Sequence, residues 1–182
     1  MSSVLVDPVS ELPSATARAS SRHSVEFYLP DLRTRTERKF ICSESWWAHV
    51  AERGFTYWGT CTNPECESRS NPRLPSWPGE TAAQKGFGMF RPNEDSDFDN
   101  ICCPACHSCF EPDMFVFAQC SAQIRYCLVG KRPELIQFSH DQGDSAIVLG
   151  QRGLKVTYTS MIIDVLDPTV YFEPSGDRIE AL

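Results

Sequence analysis

Two short cysteine pairs constrain the fold of this chain more than any other feature of its sequence. The first pair is Cys61 and Cys66, and the second is Cys103 and Cys106, with Pro104 directly after the first thiol. Spacings of two to four intervening residues let each pair bind one ion from a single turn, and four thiolates suit tetrahedral zinc. Proline fixes φ at the start of the second turn. The spacing therefore predicts a structural Zn²⁺ site with Cys61, Cys66, Cys103 and Cys106 as ligands.

The second pair has a competing register, because Cys109 follows Cys106 by the same spacing. A histidine nitrogen from His107 is a further alternative ligand. The proline after Cys103 favours the Cys103 and Cys106 pair, and the adjacent Cys102 is then interpreted as a bystander. Three other cysteines fall in predicted helix or strand segments, where a thiol usually behaves as a small buried apolar group: Cys42, Cys120 and Cys127.

Length and composition limit the class of protein. The chain has 182 residues, 41% of them hydrophobic, and a net charge of −7. This is enough apolar material for one packed domain. No apolar run approaches the roughly 18 residues that span a bilayer, so we expect no membrane association. The nine cysteines lack a preceding secretory signal pattern, which favours reduced thiols and an intracellular, cytoplasmic or nuclear, location.

The order of residue patterns predicts a mainly β protein. Residues 1–24 resemble a disordered leader, residues 25–172 a single zinc-stabilised β-rich domain, and residues 173–182 a flexible tail. One short helix is expected at residues 43–53, and a proline-rich loop at residues 67–84. Strands are expected at these positions, from their β-branched and aromatic content and their turn signals: 25–29, 55–58, 85–90, 114–120, 123–129, 134–138, 146–149 and 155–166.

These elements define the predicted fold class. It is mainly β, a small α+β fold in which zinc-ribbon-type knuckles join an antiparallel β-sheet. A ribbon of this size buries too little apolar surface to fold alone, so metal binding is expected to supply folding free energy to residues 58–110.

Four sequence blocks resemble a family of eukaryotic, cysteine-rich, zinc-ribbon-like domains that commonly accompany ubiquitin-like repeats. The blocks are Gly54-Phe55 leading to Gly59-Thr-Cys-Thr-Asn-Pro-Glu-Cys66, then Lys85-Gly-Phe-Gly-Met-Phe90, Cys103-Pro-Ala-Cys106 and Phe117-Ala-Gln-Cys120. The resemblance implies the same four ligands, Cys61, Cys66, Cys103 and Cys106. It also implies a ubiquitin-related protein partner and raises a role for Cys120 beyond the core. Cys102 and Cys109 are additions to the family pattern.

The preferred functional prediction is a non-catalytic, intracellular protein-interaction module stabilised by zinc. Trp77 lies between Pro75 and Pro78, so it is either a partner anchor or a lid over the core. We do not predict an enzyme. A Cys103–Cys106 redox pair would need a thioredoxin-like strand and helix. A thiol hydrolase would need a cysteine beside a base such as His49 or His140.

Nucleic-acid binding is the main alternative function. It would use a basic cluster before the metal site together with two later residues, and these are Arg33, Arg35, Arg38, Lys39, Lys85 and Arg91. The acidic net charge opposes approach to phosphates. Such binding is therefore expected to be weak and dependent on salt.

Overall fold

The computed structural model describes residues 26–39, 53–66, 80–92, 101–172 and 178–180, and these residues form strands but no helix. The mainly β, antiparallel fold class predicted from the sequence is therefore confirmed. The helix predicted at residues 43–53 lies outside the described residues except for Arg53, which forms a bend. In the described part, no helix is long and apolar enough to cross a membrane.

Twelve strands follow one another along the described chain. They are β1 (Phe27–Pro30), β2 (Arg35–Lys39), β3 (Gly54–Thr60), β4 (Glu80–Gly86), β5 (Gly88–Phe90), β6 (Pro112–Ala118), β7 (Cys120–Leu128), β8 (Glu134–His140), β9 (Ser145–Leu149), β10 (Lys155–Leu166), β11 (Val170–Phe172) and β12 (Arg178–Glu180). The prediction for β10 matches both of its ends.

Ten of these strands form two five-stranded antiparallel sheets. Sheet 1 has the order β1-β10-β7-β8, with β5 also paired to β10, and sheet 2 has the order β2-β9-β6-β3-β4. Because β10 has twelve residues, one of its edges pairs with two strands. Tyr158 is opposite β1 and Ile163 is opposite β5. The strands β11 and β12 form a separate hairpin-like pair.

The two sheets pack against each other through one apolar core. Six of the seven positions of β3 are buried, and Phe55 lies 5.4 Å and 5.0 Å, ring centre to ring centre, from Phe115 and Phe117. Phe117 of sheet 2 meets Phe138 of sheet 1 edge to face, with ring centres 5.2 Å apart. Each fully buried ring of this size stabilises a fold by about 1.5–3 kcal/mol. The two sheets thus form a β-sandwich with a substantial core.

The chain passes between the sheets at short connections. One residue, Gln119, joins β6 of sheet 2 to β7 of sheet 1, and its φ of 43° lies in the left-handed region. Gly86 and Gly88, with φ of 75° and 135°, flank the corner at Phe87 between β4 and β5, where glycine adopts such angles without a steric penalty. Two predictions were wrong here: the strands at 114–120 and 85–90 are each interrupted, at Gln119 and at Phe87.

Two other segments differ from their predictions. The loop expected at residues 67–84 cannot extend past residue 79, because Glu80–Gly86 forms β4, paired with β3 through Ala83 and Tyr57. Alanine has a low intrinsic preference for strands, so this conformation depends on the neighbouring strand. Arg178–Glu180 lies in the predicted tail and pairs with β11. Trp77 and residues 1–24 fall outside the described residues.

Candidate metal centre

The first cysteine pair is formed by a turn at the end of β3. Cys61 directly follows the last residue of that buried strand. The backbone N–H of Cys66 donates to the carbonyl oxygen of Asn63 at 3.3 Å, and the N–H of Glu65 donates to the Asn63 side chain at 3.0 Å. Pro64 stands at the second position of this turn, where its fixed φ is favourable. The turn therefore brings Cys66 back beside Cys61.

The second pair lies on a short ribbon formed by residues 101–110. The N–H of Cys103 donates to the carbonyl oxygen of Ser108 at 2.9 Å, which joins the two arms of the ribbon. The N–H of His107 donates to the carbonyl oxygen of Cys103 at 2.8 Å, and His107 has a left-handed φ of 59°. These bonds wind the chain so that Cys103 and Cys106 approach the same point.

The four predicted thiols meet in one place. Their Sγ atoms all lie within 4.8 Å of one another, with 3.4 Å between Cys61 and Cys106 and 3.7 Å between Cys66 and Cys103. Four sulfur atoms at about 2.3 Å from a tetrahedral zinc ion would be about 3.8 Å apart. Cys106 is half-buried and the other three are buried. The group is therefore close enough to hold one metal ion in a closed, four-sulfur site.

Thr81 was not predicted as part of this site. It is fully buried on β4, and its hydroxyl donates to Cys103 Sγ at 3.1 Å. Hydrogen bonds from outside the ligand set orient metal ligands and stabilise their charge. The residue was missed because it was assigned to the proline-rich loop, and its role becomes visible only when β4 pairs with β3.

The protein environment gives two of the thiols different acidities before any metal binds. Burial raises the pKa of the Cys61 thiol to about 12. Hydrogen bonds from the side chain and backbone of Ser108 lower the pKa of Cys106 to about 6. The Cys106 thiol therefore loses its proton at lower pH than Cys61, and a cation that binds Cys61 must displace a proton.

The alternative ligands lie outside the four-thiol group. His107 and Cys109 are exposed, and Cys109 Sγ faces Cys102 Sγ at 3.4 Å. Cys120 is buried in the core at the start of β7, with Sγ 3.9 Å from the carbonyl oxygen of Gly54. The structure thus places Cys103 with Cys106, and Cys42 is not among the described residues.

One cysteine does lie opposite a histidine. In the register of β7 and β8, Cys120 is paired with His140. His140 Nε2 is 3.0 Å from the hydroxyl of Ser145, which donates to Glu37 at 2.9 Å. Both Cys120 and His140 are buried, whereas a nucleophilic thiol needs access to its substrate. This arrangement suits a packed core, and His49 lies outside the described residues.

The basic cluster considered for nucleic acid forms an edge of sheet 2. All five residues of β2 are exposed. However, Arg33 is held by Asp31 at 2.7 Å, and the Arg35 guanidinium lies 5.0 Å from the ring centre of Phe138. These contacts restrain two of the cations that phosphate binding would require.

No protein-family model, no curated protein and no solved structure matches this chain. What the site can do follows from its donor set. If all four sulfur atoms bound one tetrahedral ion, they would leave it no open coordination position, which is the arrangement of structural zinc sites. The function is therefore inferred from the geometry of these thiols and the fold around them.

Proposed function

We propose that this chain is a non-catalytic, intracellular protein-binding domain stabilised by a structural Zn²⁺ ion on Cys61, Cys66, Cys103 and Cys106. The observation that carries this is the convergence of four thiols within 4.8 Å. A set made only of sulfur donors favours zinc and disfavours magnesium and calcium, which bind oxygen. Reduced thiols of this kind persist in intracellular compartments.

The ion would join two separate parts of the chain, and a hydrogen bond attaches a third. Cys61 and Cys66 extend β3, Cys103 and Cys106 belong to the 101–110 ribbon, and Thr81 links β4 to the same sulfur group. Because the two cysteine pairs are far apart in sequence, holding them together by coordinate bonds stabilises the folded state. The role of the metal is thus to fix one end of the sandwich.

The metal part of the proposal is tested by loading and by substitution. Protein purified under reducing conditions should carry one zinc ion per chain in native mass spectrometry. Cys103→Ser should abolish metal retention and lower the melting temperature. The matched control is Cys127→Ser, because Cys127 is half-buried on β7 and outside the four-thiol group. Purified wild-type protein without zinc, or a Cys103→Ser variant that retains it, would refute the site.

Protein binding is supported by apolar side chains on one edge of sheet 1. Tyr28 of β1 is 67% exposed and Met89 of β5 is 48% exposed, and both strands pair with β10 on the same side. Edge strands with exposed apolar residues favour association with another chain. We propose this Tyr28–Met89 edge as the partner surface, and the family resemblance favours a ubiquitin-related partner.

Calorimetric titration with ubiquitin tests the partner surface directly. We expect binding by the zinc-loaded wild type and at least about tenfold weaker binding by Tyr28→Ala or Met89→Ala, as for an interface hot spot. Leu135→Ala is the control, because Leu135 is 51% exposed, close to the value for Met89, on β8 at the opposite edge. No binding by the wild type, or equal effects of the three variants, would refute this surface.

A further inference from the structure

A second pair of cysteines flanks the second metal-binding turn. Cys102 and Cys109 face each other across the ribbon as an antiparallel bridge. The hydrogen bonds on either side of them join Cys103 to Ser108 and Phe110 to Ile101. Cys102 and Cys109 therefore occupy a non-hydrogen-bonded position, where opposite Cα atoms approach to about 4.5 Å and side chains lie on the same face.

This geometry is compatible with a disulfide. The two Sγ atoms are 3.4 Å apart, whereas a disulfide bond is about 2.05 Å long and needs Cα atoms about 4.4–6.8 Å apart. The backbone position satisfies the second requirement. Closing the remaining gap between the sulfur atoms requires a movement of the two side chains.

The pair is separated from the metal ligands by the alternation of side chains along the ribbon. Ile101, Cys103 and Phe110 are buried on the inner face. Cys102 is half-buried and Cys109 is exposed on the outer face. A reagent in solution can therefore reach Cys109 without entering the four-thiol group.

We propose that Cys102 and Cys109 form a reversible thiol–disulfide site that reacts with low-molecular-weight disulfides while the four metal ligands stay in place. The Cys109 thiolate attacks one sulfur of the reagent, which forms a mixed disulfide and releases the first reagent thiol. Cys102 then attacks the Cys109 sulfur and releases the second reagent thiol. Two protons and two electrons pass from the protein dithiol to the reagent disulfide. Excess thiol reverses both steps.

The bond would close a ring around the second metal-binding turn. The segment from Cys102 to Cys109 contains both Cys103 and Cys106. A crosslink of this kind restricts the open conformations through which the turn would have to pass. Oxidation should therefore slow transfer of the metal to a chelator. This consequence rests on the proposed zinc site, but formation of the disulfide does not.

The experiment treats full-length, metal-loaded protein with oxidised glutathione. Alkylation, proteolysis and fragment mass spectrometry then locate the modified cysteines, and native mass spectrometry measures the metal. We expect the loss of two thiols per chain, a Cys102–Cys109 disulfide, an unchanged metal content and full reversal by dithiothreitol. The wild-type protein alone can contradict the proposal, if no Cys102–Cys109 disulfide forms. The test therefore does not depend on a variant that folds.

Two variants sharpen the result. Cys109→Ser should prevent the intrachain disulfide and keep one metal ion per chain, whereas Cys127→Ser should oxidise as the wild type does. A lower metal content in Cys109→Ser would identify Cys109 as a ligand and overturn the proposal. Oxidation that begins at Cys103 or Cys106, or that releases metal in step with thiol loss, would also overturn it.

Discussion

At the residue scale, each thiol of the second cysteine pair, Cys103 and Cys106, has a hydroxyl group beside it. Thr81 donates to Cys103, and Ser108 lowers the pKa of Cys106 through its side chain and backbone. Four thiolates around a divalent cation leave a net negative charge, which such hydrogen bonds stabilise. The two donors thus act on adjacent ligands of one turn.

Removing the Thr81 hydroxyl should weaken the metal site. We expect Thr81→Val to lower zinc affinity by about tenfold or more, in the range seen for residues that support metal ligands. Thr81→Ser keeps the donor and should remain close to wild type. Competition with a chromophoric chelator measures both variants, and equal affinities for Val and Ser would show that the hydroxyl contributes nothing to metal binding.

Acid should weaken zinc binding. Burial raises the pKa of Cys61 to about 12, so this thiol is protonated at neutral pH in the metal-free protein, and the metal must displace its proton. Cys106, with a pKa of about 6, adds little proton competition above that pH. The apparent dissociation constant should therefore rise at least about tenfold per unit of falling pH between pH 8 and pH 6. A pH-independent constant would contradict this protonation state.

The four thiols that meet in one place could be predicted from sequence, because each cysteine pair is local and its spacing defines a turn. Thr81 could not be predicted, since it reaches Cys103 only through the pairing of β4 with β3. Cys102 was interpreted as a bystander to the metal ligands, and it does lie outside the four-thiol group. That Cys102 faces Cys109 could not be predicted, because it depends on which residues lie opposite each other in the ribbon. The sequence left two alternatives for the second pair, Cys103 with Cys106 or Cys106 with Cys109.

At the element scale, Gly59 determines how closely the 101–110 ribbon can approach β3. A Cβ atom at this position would meet the carbonyl oxygen of Glu111 and lie 2.6 Å from the Phe110 ring. The pairing of β3 with β6 also shifts register between Trp58 and Gly59. Because Gly59 has no side chain, Phe110 and Glu111, which follow the second cysteine pair, can pack close to β3.

Gly59→Ala should destabilise the protein. The new methyl group must displace backbone as well as a buried ring, and overpacking of this kind costs about 1–3 kcal/mol of unfolding free energy. Gly143→Ala is the control, because its Cβ would meet only the end of the Gln119 side chain, at 3.0 Å. Chemical denaturation measures both. An unchanged stability for Gly59→Ala would show that the ribbon can move away from β3.

The strands whose bounds were predicted best are those whose own residues favour the strand conformation. The run from Lys155 to Leu166 is rich in β-branched and aromatic side chains and matches β10 at both ends. By contrast, β4 contains two alanines and depends on its neighbour. The break at Gln119 could not be read from the sequence, because a left-handed φ is uncommon for residues other than glycine.

At the scale of the whole molecule, the four-thiol group and the two packed sheets share one core. Cys61, Cys66 and Cys103 belong to the same buried cluster as Phe115 and Ile163, which come from opposite sheets. The ring contact between the sheets, Phe117 with Phe138, involves none of the four cysteines.

Removing the metal should therefore loosen the knuckles and preserve the sheets. With a chelator under reducing conditions, we expect the amides of Cys66, Cys103 and His107 to lose protection in hydrogen exchange, because their hydrogen bonds lie within the two turns. Amides shared by β7 and β10 should stay protected. Simultaneous loss of protection in β7 and β10 would show that the metal is required for the entire fold.

The position of β10 also determines when this chain can fold during its synthesis. The strand lies between β1 and β7, and its Tyr158 is paired with Phe27 of the first strand. A ribosome must therefore make the chain as far as β10 before β1 and β5 acquire their neighbour in sheet 1. Sequence separations of this size slow folding and leave earlier strands exposed. Sheet 2, whose last strand in the sequence is β9, can pair all its strands earlier than sheet 1 can.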